Sequence, residues 1–192
     1  MLRKILAVFF TFIIFTVTCF GEISNCQAEA ASKAGKVKAA YTELLSGLPD
    51  NDTQFAVIDI NEDGIPEMVY SEDNFYHTSF VAYVNNEIKI LDEGFSGEQK
   101  YYPGKCLYYS YTGGHSFTFY KYYKFTGKKL KSVAEKKCED MLANPPVFEY
   151  RINGKKVTQR KYKNYTSKLL AGAKEVKLKP HKNTALNRKR YL

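Results

Sequence analysis

From residue 59 the chain reads Asp-Ile-Asn-Glu-Asp-Gly-Ile-Pro-Glu, so Asp59, Asn61 and Asp63 stand at alternate positions and Glu67 follows shortly after. Alternate side chains of a tight loop converge on one point. Oxygens gathered in this way suit a hard cation, and calcium takes six to eight of them. On this reading Asp59, Asn61 and Asp63 each supply a side-chain oxygen, and Gly64 permits the bend. Ile65 offers its main-chain carbonyl, and Glu67 closes the shell directly or through water. Magnesium fits less well, because it holds to a rigid octahedron and keeps several waters. Crowded carboxylates repel one another unless positive charge sits among them. The competing reading is a metal-free turn, since Asp, Asn and Gly are ordinary turn formers. Apolar runs on both sides, Phe55–Ile58 and Met68–Tyr70, imply strands, so a bound calcium would chiefly pin two strands together.

An EF-hand is excluded. The twelfth position counted from Asp59 is Tyr70, where an EF-hand carries a bidentate Glu, and a strand-like run follows in place of a helix. The stretch instead resembles the strand–DxDxDGxxD–strand loop of FG-GAP and VCBS blades, through Phe55, Asp59, Asn61, Asp63, Gly64, Glu67, Met68 and Val69. That resemblance implies Asp59, Asn61, Asp63 and Glu67 as side-chain ligands of Ca2+, with Ile65 through its backbone. Glu67 stands where that family has Asp. The motif occurs once, whereas a propeller needs at least four blades, so the resemblance implies a calcium loop and no propeller. The order of features along the whole chain also resembles a group of small secreted Gram-positive proteins, which implies an architecture and no activity.

The loop must be placed by the rest of the chain, and the first thirty residues read as an export signal. Arg3 and Lys4 precede an unbroken run of low polarity, Ile5 to Phe20, that is shorter than the ~20 residues of a membrane span. Ala28-Glu29-Ala30 has the small-x-small form of a signal-peptidase site, with cleavage expected after Ala30. Cys19 and Cys26 offer the alternative of a lipidated signal, although Thr18 and Asn25 precede them where Gly or Ala is the rule. An uncleaved anchor is the third reading. Association with a membrane is expected only through such an uncleaved or lipidated signal.

Residues 31–172 then read as a single α+β domain: an antiparallel β-meander of six to eight strands, with a short N-terminal helix and a basic C-terminal helix. Val37, Tyr41, Leu44, Leu45 and Leu48 recur at helical spacing. Asn85-Asn86, Gly113-Gly114, Gly127 and Asn153-Gly154 mark successive hairpin turns. Gln159 to Ala171 turns helical, with Thr158 as N-cap and Gly172 to end it. Residues 173–192 form a basic C-terminal segment, read either as a tail or as a short strand and a last helical turn.

Cys106 and Cys138 are the cysteines left after the signal, and in an oxidising exterior they are expected to form one disulfide; two buried free thiols are the alternative. Tyr120, Tyr122 and His115 form a possible ligand surface, because exposed tyrosines stack on sugars or on partner proteins. Cross-strand aromatic pairing within the sheet competes with that reading. For catalysis the sequence offers only His115, near Cys106 as a nucleophile, or an unassigned carboxylate pair among the acids from Asp59 to Asp92.

Charge is unevenly placed on a chain of net +9. From Arg151 onward there are 14 Lys or Arg and one acid, Glu175. Lys155, Lys156, Arg160, Lys161, Lys163, Arg188, Lys189 and Arg190 make up the expected basic patch, which suits an anionic partner. The whole implies an exported, non-catalytic binding module at the bacterial cell envelope, stabilised by one Ca2+. Its partners would be an anionic envelope polymer or a surface protein, with nucleic acid ranked behind them. The alternatives are an envelope-directed hydrolase using His115 or a carboxylate pair, and a binder of wall polymer, phospholipid or nucleic acid through the basic end.

Overall fold

Tyr108 is buried on one face of its strand, while its neighbours Leu107 and Tyr109 are buried on the other. Period-two burial on both faces requires a sheet covered on both sides. The computed structural model, described for residues 32–192 apart from 51, 74–76, 96 and 114–117, has that form. Residues 37–192 make one compact unit. In the other, residues 1–36, the described part is 32–36, the start of helix α1 (residues 32–46). The export signal of residues 1–30, with Cys19 and Cys26, lies outside the described residues.

The strands are β1 (Gln54–Ile58), β2 (Glu67–Ser71), β3 (His77–Val84), β4 (Glu87–Phe95), β5 (Gln99–Tyr102), β6 (Leu107–Gly113), β7 (Thr118–Phe125), β8 (Leu130–Asp140), β9 (Val147–Ile152), β10 (Lys155–Val157), β11 (Val176–Lys177) and β12 (His181–Lys182). Helix α2 (Gln159–Leu170) lies between β10 and β11, and α3 (Ala185–Tyr191) ends the chain. The chain is thus a strand-rich α+β fold, but the strands do not form the single meander of six to eight expected. They divide into a five-stranded sheet, β12-β1-β2-β3-β4, and a seven-stranded sheet, β10-β9-β8-β7-β6-β5-β11, all antiparallel.

Three buried clusters define four layers. Between the sheets, Ile58, Ile60, Val69, Phe80, Ala82 and Val84 meet Tyr108, Tyr123 and Phe125. The odd partners on the first sheet, Phe55, Val81 and the flanking Met68 and Tyr70, turn the other way and pack on Val37, Tyr41 and Leu45 of α1. On the far side of the second sheet, Tyr102, Leu107, Tyr109 and Val133 are covered by Leu169 and Leu170 of α2. The order is helix, sheet, sheet, helix. All three clusters lie inside residues 37–192, so a protein that begins at residue 31 carries the whole core.

Local chemistry sets the described turns. Asn85 and Asn86 both adopt positive φ (+54° and +66°), as do Asn153 and Gly154 (+49° and +77°); this left-handed pair matches the twist of a two-residue hairpin. Thr158 caps α2 by accepting from Lys161 N at 3.3 Å, and Gly172 follows at φ +67°. The Gly113-Gly114 turn itself lies outside the described residues, although β6 and β7 pair up to Gly113 and Thr118.

Residues 173–192 are part of the same fold, not a segment apart. β11 extends the second sheet beside β5, and β12 extends the first beside β1. Asn183 locks this return. It is fully buried, its Nδ2 donates to Leu45 O at 2.7 Å, and its Oδ1 accepts from Arg188 Nη1 at 2.7 Å. Asn183→Ala leaves a buried carbonyl and a guanidinium short of partners, so the expected result is a loss of roughly 2–3 kcal/mol in urea unfolding. A loss below half a kcal/mol would show that the C-terminal return is held by other contacts.

Candidate metal loop and charged faces

The loop joining β1 to β2 is tied internally by its own acids. Asp59 Oδ1 accepts from Asp63 N at 3.2 Å, and its Oδ2 accepts from Gly64 N at 2.9 Å. Asp63 Oδ1 accepts from Ile65 N at 2.8 Å. These bonds curl the chain around Asp59, and the curl requires positive φ at Glu62 (+57°) and Gly64 (+77°). Gly64 was legible as the bend; Glu62 was not. Glu67 opens β2 opposite Ile58 and is only 4% exposed, with Oε2 accepting from Ile60 N at 3.1 Å.

The loop is buttressed by elements that sequence reasoning did not connect to it. Tyr41 of α1 donates its hydroxyl to Pro66 O at 3.0 Å. Gly104, in the turn between β5 and β6, lies so close that a Cβ there would meet Glu62 Oε2 at 3.3 Å. Asp59 is near enough to Tyr101 of β5 to help burial hold that phenol above its ordinary range. One short loop therefore touches α1 and both sheets.

Two observations bear on whether these residues suit a cation. Asn61 Nδ2 donates to Asp63 Oδ2 at 2.7 Å, and Asn61 Oδ1 is buried without a hydrogen-bond partner. Turning the amide over would aim that oxygen at Asp63, a contact that becomes favourable only with positive charge between them. Burial also pushes the Glu67 carboxyl up to about 8; repulsion from Asp63 and Asp59 adds to this, and the Ile60 N–H bond opposes it. Among the described residues, no three His, Cys, Asp or Glu side chains gather as a ready metal cluster. The loop's donor set is instead two aspartates, an amide, and a third acid drawn toward Ile60. This chemistry fits calcium, which accepts amide and main-chain oxygens together with carboxylates.

No family model, curated protein or solved structure matches this chain. Its function must be read from the geometry of its own side chains. Among the described residues, no helix is long and apolar enough to cross a membrane.

The other expected site residues are dispersed. Cys106 and Cys138 are free thiols, which corrects the expected disulfide. Cys106 precedes Leu107, which pairs with Lys124, and Cys138 follows Lys137, which pairs with Phe119. Cys106 is therefore level with Phe125 and Cys138 with Thr118, at opposite ends of β7 and roughly 23 Å apart at ~3.3 Å per residue, whereas a disulfide needs Cα atoms within about 7 Å. Titration with a thiol reagent, without reductant, should count two thiols in denaturant for a protein beginning at residue 31. Cys106, half-buried, should react in the native state and Cys138 only on unfolding. A count of zero would restore the disulfide.

Tyr120 and Tyr122 are half-buried and paired across the sheet. Tyr122 packs on Tyr109 and Tyr120 on Tyr111 across the β6–β7 pair, with ring centroids 4.9 and 5.0 Å apart, and both adjoin the cluster under α2. His115, their expected neighbour, lies outside the described residues. The carboxyls held above their ordinary range, Glu67 and Asp92, belong to different places, with β3 between their strands. Asp92 is raised by burial, takes the Tyr123 hydroxyl at 3.3 Å, and lines a cleft of about 200 Å³ with Lys121, Thr78 and Ser110.

The basic residues fall on two outer faces, not in one patch. Lys155 and Lys156 belong to β10, an edge strand of the second sheet, and Arg160, Lys161 and Lys163 to α2, which covers that sheet. Arg188, Lys189 and Arg190 belong to α3, whose Tyr191 joins the cluster beyond the first sheet and stacks on His181 at 3.5 Å. Arg188 is structural, since it binds Asn183 and Asp50. Lys156 is paired with Glu149 at 2.8 Å.

Proposed function

We propose that this chain is an exported, non-catalytic binding module of the bacterial cell envelope whose fold is held by one calcium ion at Asp59, Asn61, Asp63, Ile65 and Glu67. The observation that carries the calcium is the buried, unpartnered Asn61 Oδ1 in a loop already curled by its own aspartates. Calcium, when bound, supplies the positive charge that this loop's carboxylates lack. The export reading is supported by the basic, apolar and small-x-small order of residues 3–30. The chain's own residues do the remaining work. Asp59 and Asp63 shape the loop, Tyr41 ties it to α1, and Glu67 links it to Ile60, so order in the loop is transmitted to α1 and both sheets. The basic helix α2 presents its charged side chains to whatever the module binds.

Calorimetric titration of a protein beginning at residue 31 is expected to give one calcium per chain, and Asp59→Ala should remove the binding heat. No heat at millimolar calcium, with the protein folded, would contradict the proposal.

A further inference from the structure

We propose that the outer face of α2 is a docking surface for a linear, phosphate-bearing polymer. The inference rests on the binding-module reading and names the chemistry of its partner. Between Lys155 and Lys174 the chain has seven basic residues and no acid. Helix α2 buries Tyr162 and half-buries Tyr165, Leu169 and Leu170, so Arg160, Lys161, Lys163 and Lys168 occupy the opposite, exposed side. None of these four has an ion-pair partner among the described residues. Glu149 is already engaged by Arg151 and Lys156, and Glu175 by Lys100.

Arg160, Lys161 and Lys163 do not serve the helix itself; only Lys168, in the last turn, sits where the dipole favours a cation. Arg160 and Lys161 stand in the first turn, where the helix dipole disfavours cations and where no acid balances them. Arg160 and Lys163 are like charges three residues apart, another unfavourable pairing. The positive field reaches the sheet beneath, where burial and then Lys163 hold Lys136 below the ordinary lysine range. A surface that opposes its own helix in this way has a use outside the fold, and an anion is the complement it calls for.

The neighbouring side chains select among polyanions. The large apolar residues exposed among the described residues are Ile90, Met141, Leu142, Val147 and Leu186, and none lies on β10 or α2. The face therefore has no exposed wedge for a bilayer, and its rings, Tyr162 and Tyr165, are buried and half-buried rather than open for a nucleic-acid base to stack on. It offers four cations among the uncharged polar Gln159, Asn164 and Ser167 along a twelve-residue helix, which suits repeated phosphates on a flexible chain.

The test is fluorescence anisotropy with labelled inorganic polyphosphate across a sodium chloride series. It compares the protein beginning at residue 31, a variant with Arg160, Lys161, Lys163 and Lys168 all changed to Gln, and a charge-matched control with Lys128, Lys129, Lys189 and Arg190 changed to Gln. The expected result is at least a tenfold loss of affinity in the α2 variant. Its slope of log affinity against log salt should flatten by roughly 3, while the control stays within threefold of the parent. Equal losses in the two variants would overturn the proposal, because binding would then follow net charge. Tighter binding, at equal phosphate, to phosphatidylglycerol vesicles or to single-stranded DNA would also overturn it, in favour of a bilayer or a nucleic acid. Circular dichroism confirms that each variant is folded. Asp63→Ala, measured below its melting temperature, should keep polyphosphate binding, so failure of the calcium reading and failure of this one are separately visible.

Discussion

Glu67→Gln should make the calcium-free protein more stable at pH 8 and remove its response to calcium. In an unfolded chain the carboxyl titrates near 4.5, and in the folded protein near 8. Between those values the folded state holds a proton that the unfolded state has lost, so metal-free stability falls as pH rises through this window. Below about 4.5 both states are protonated and Glu67 contributes no pH dependence; above 8 the full penalty of a buried carboxylate applies. Gln fills the same volume and keeps an oxygen for the Ile60 N–H, but it has no charge to bury. The gain at pH 8 is on the order of 4 kcal/mol, and it should shrink to about 1 kcal/mol at pH 5. Urea unfolding in chelator at the two pH values measures it. A variant less stable than the parent at pH 8 would mean that the Glu67 carboxylate is balanced inside the protein by some other charge.

Phe80→Ala is expected to cost about 3–5 kcal/mol, enough to threaten a domain of ordinary stability. Phe80 is 1% exposed at the centre of the layer between the sheets, edge-on to Tyr108 at 4.9 Å and 5.9 Å from Phe125. Its strand is paired on both sides, with Val69 of β2 and Asp92 of β4, so the backbone has little freedom to collapse into the cavity. Val81, one residue on, is fully buried in the other cluster, against α1. Val81→Ala removes less volume and should cost about half as much. Equal costs for the two would mean that the inter-sheet layer is not the main core.

Local features were legible in the sequence and long-range ones were not. Asn85-Asn86, Asn153-Gly154 and Thr158 specify their turns and cap through their own backbone and side-chain chemistry, so no knowledge of distant partners is needed. The division into two sheets depends on which hairpins stack face to face, and residues such as Tyr108 and Tyr109 read alike until their faces are assigned. β11 and β12 have two residues each, too short for any period to show, and pairing with β5 and β1 alone makes them strands. In the candidate site the oxygen-bearing residues were legible by type and spacing. Their support by Tyr41, Tyr101 and Gly104 comes from residues brought close only by folding. Cys106 and Cys138 misled because a cysteine count carries no distance.

The central claim, a calcium ion that orders the loop and through it the fold, is tested most directly by thermal melts of a protein beginning at residue 31, with calcium and with chelator, beside Asp63→Ala. At free calcium about a hundredfold above Kd the account predicts about 2.7 kcal/mol of stabilisation, a rise in Tm of roughly 5–10 °C, which the variant lacks. Superimposable melts of the parent protein with calcium and with chelator would contradict it and leave residues 59–67 as a turn held by its own hydrogen bonds.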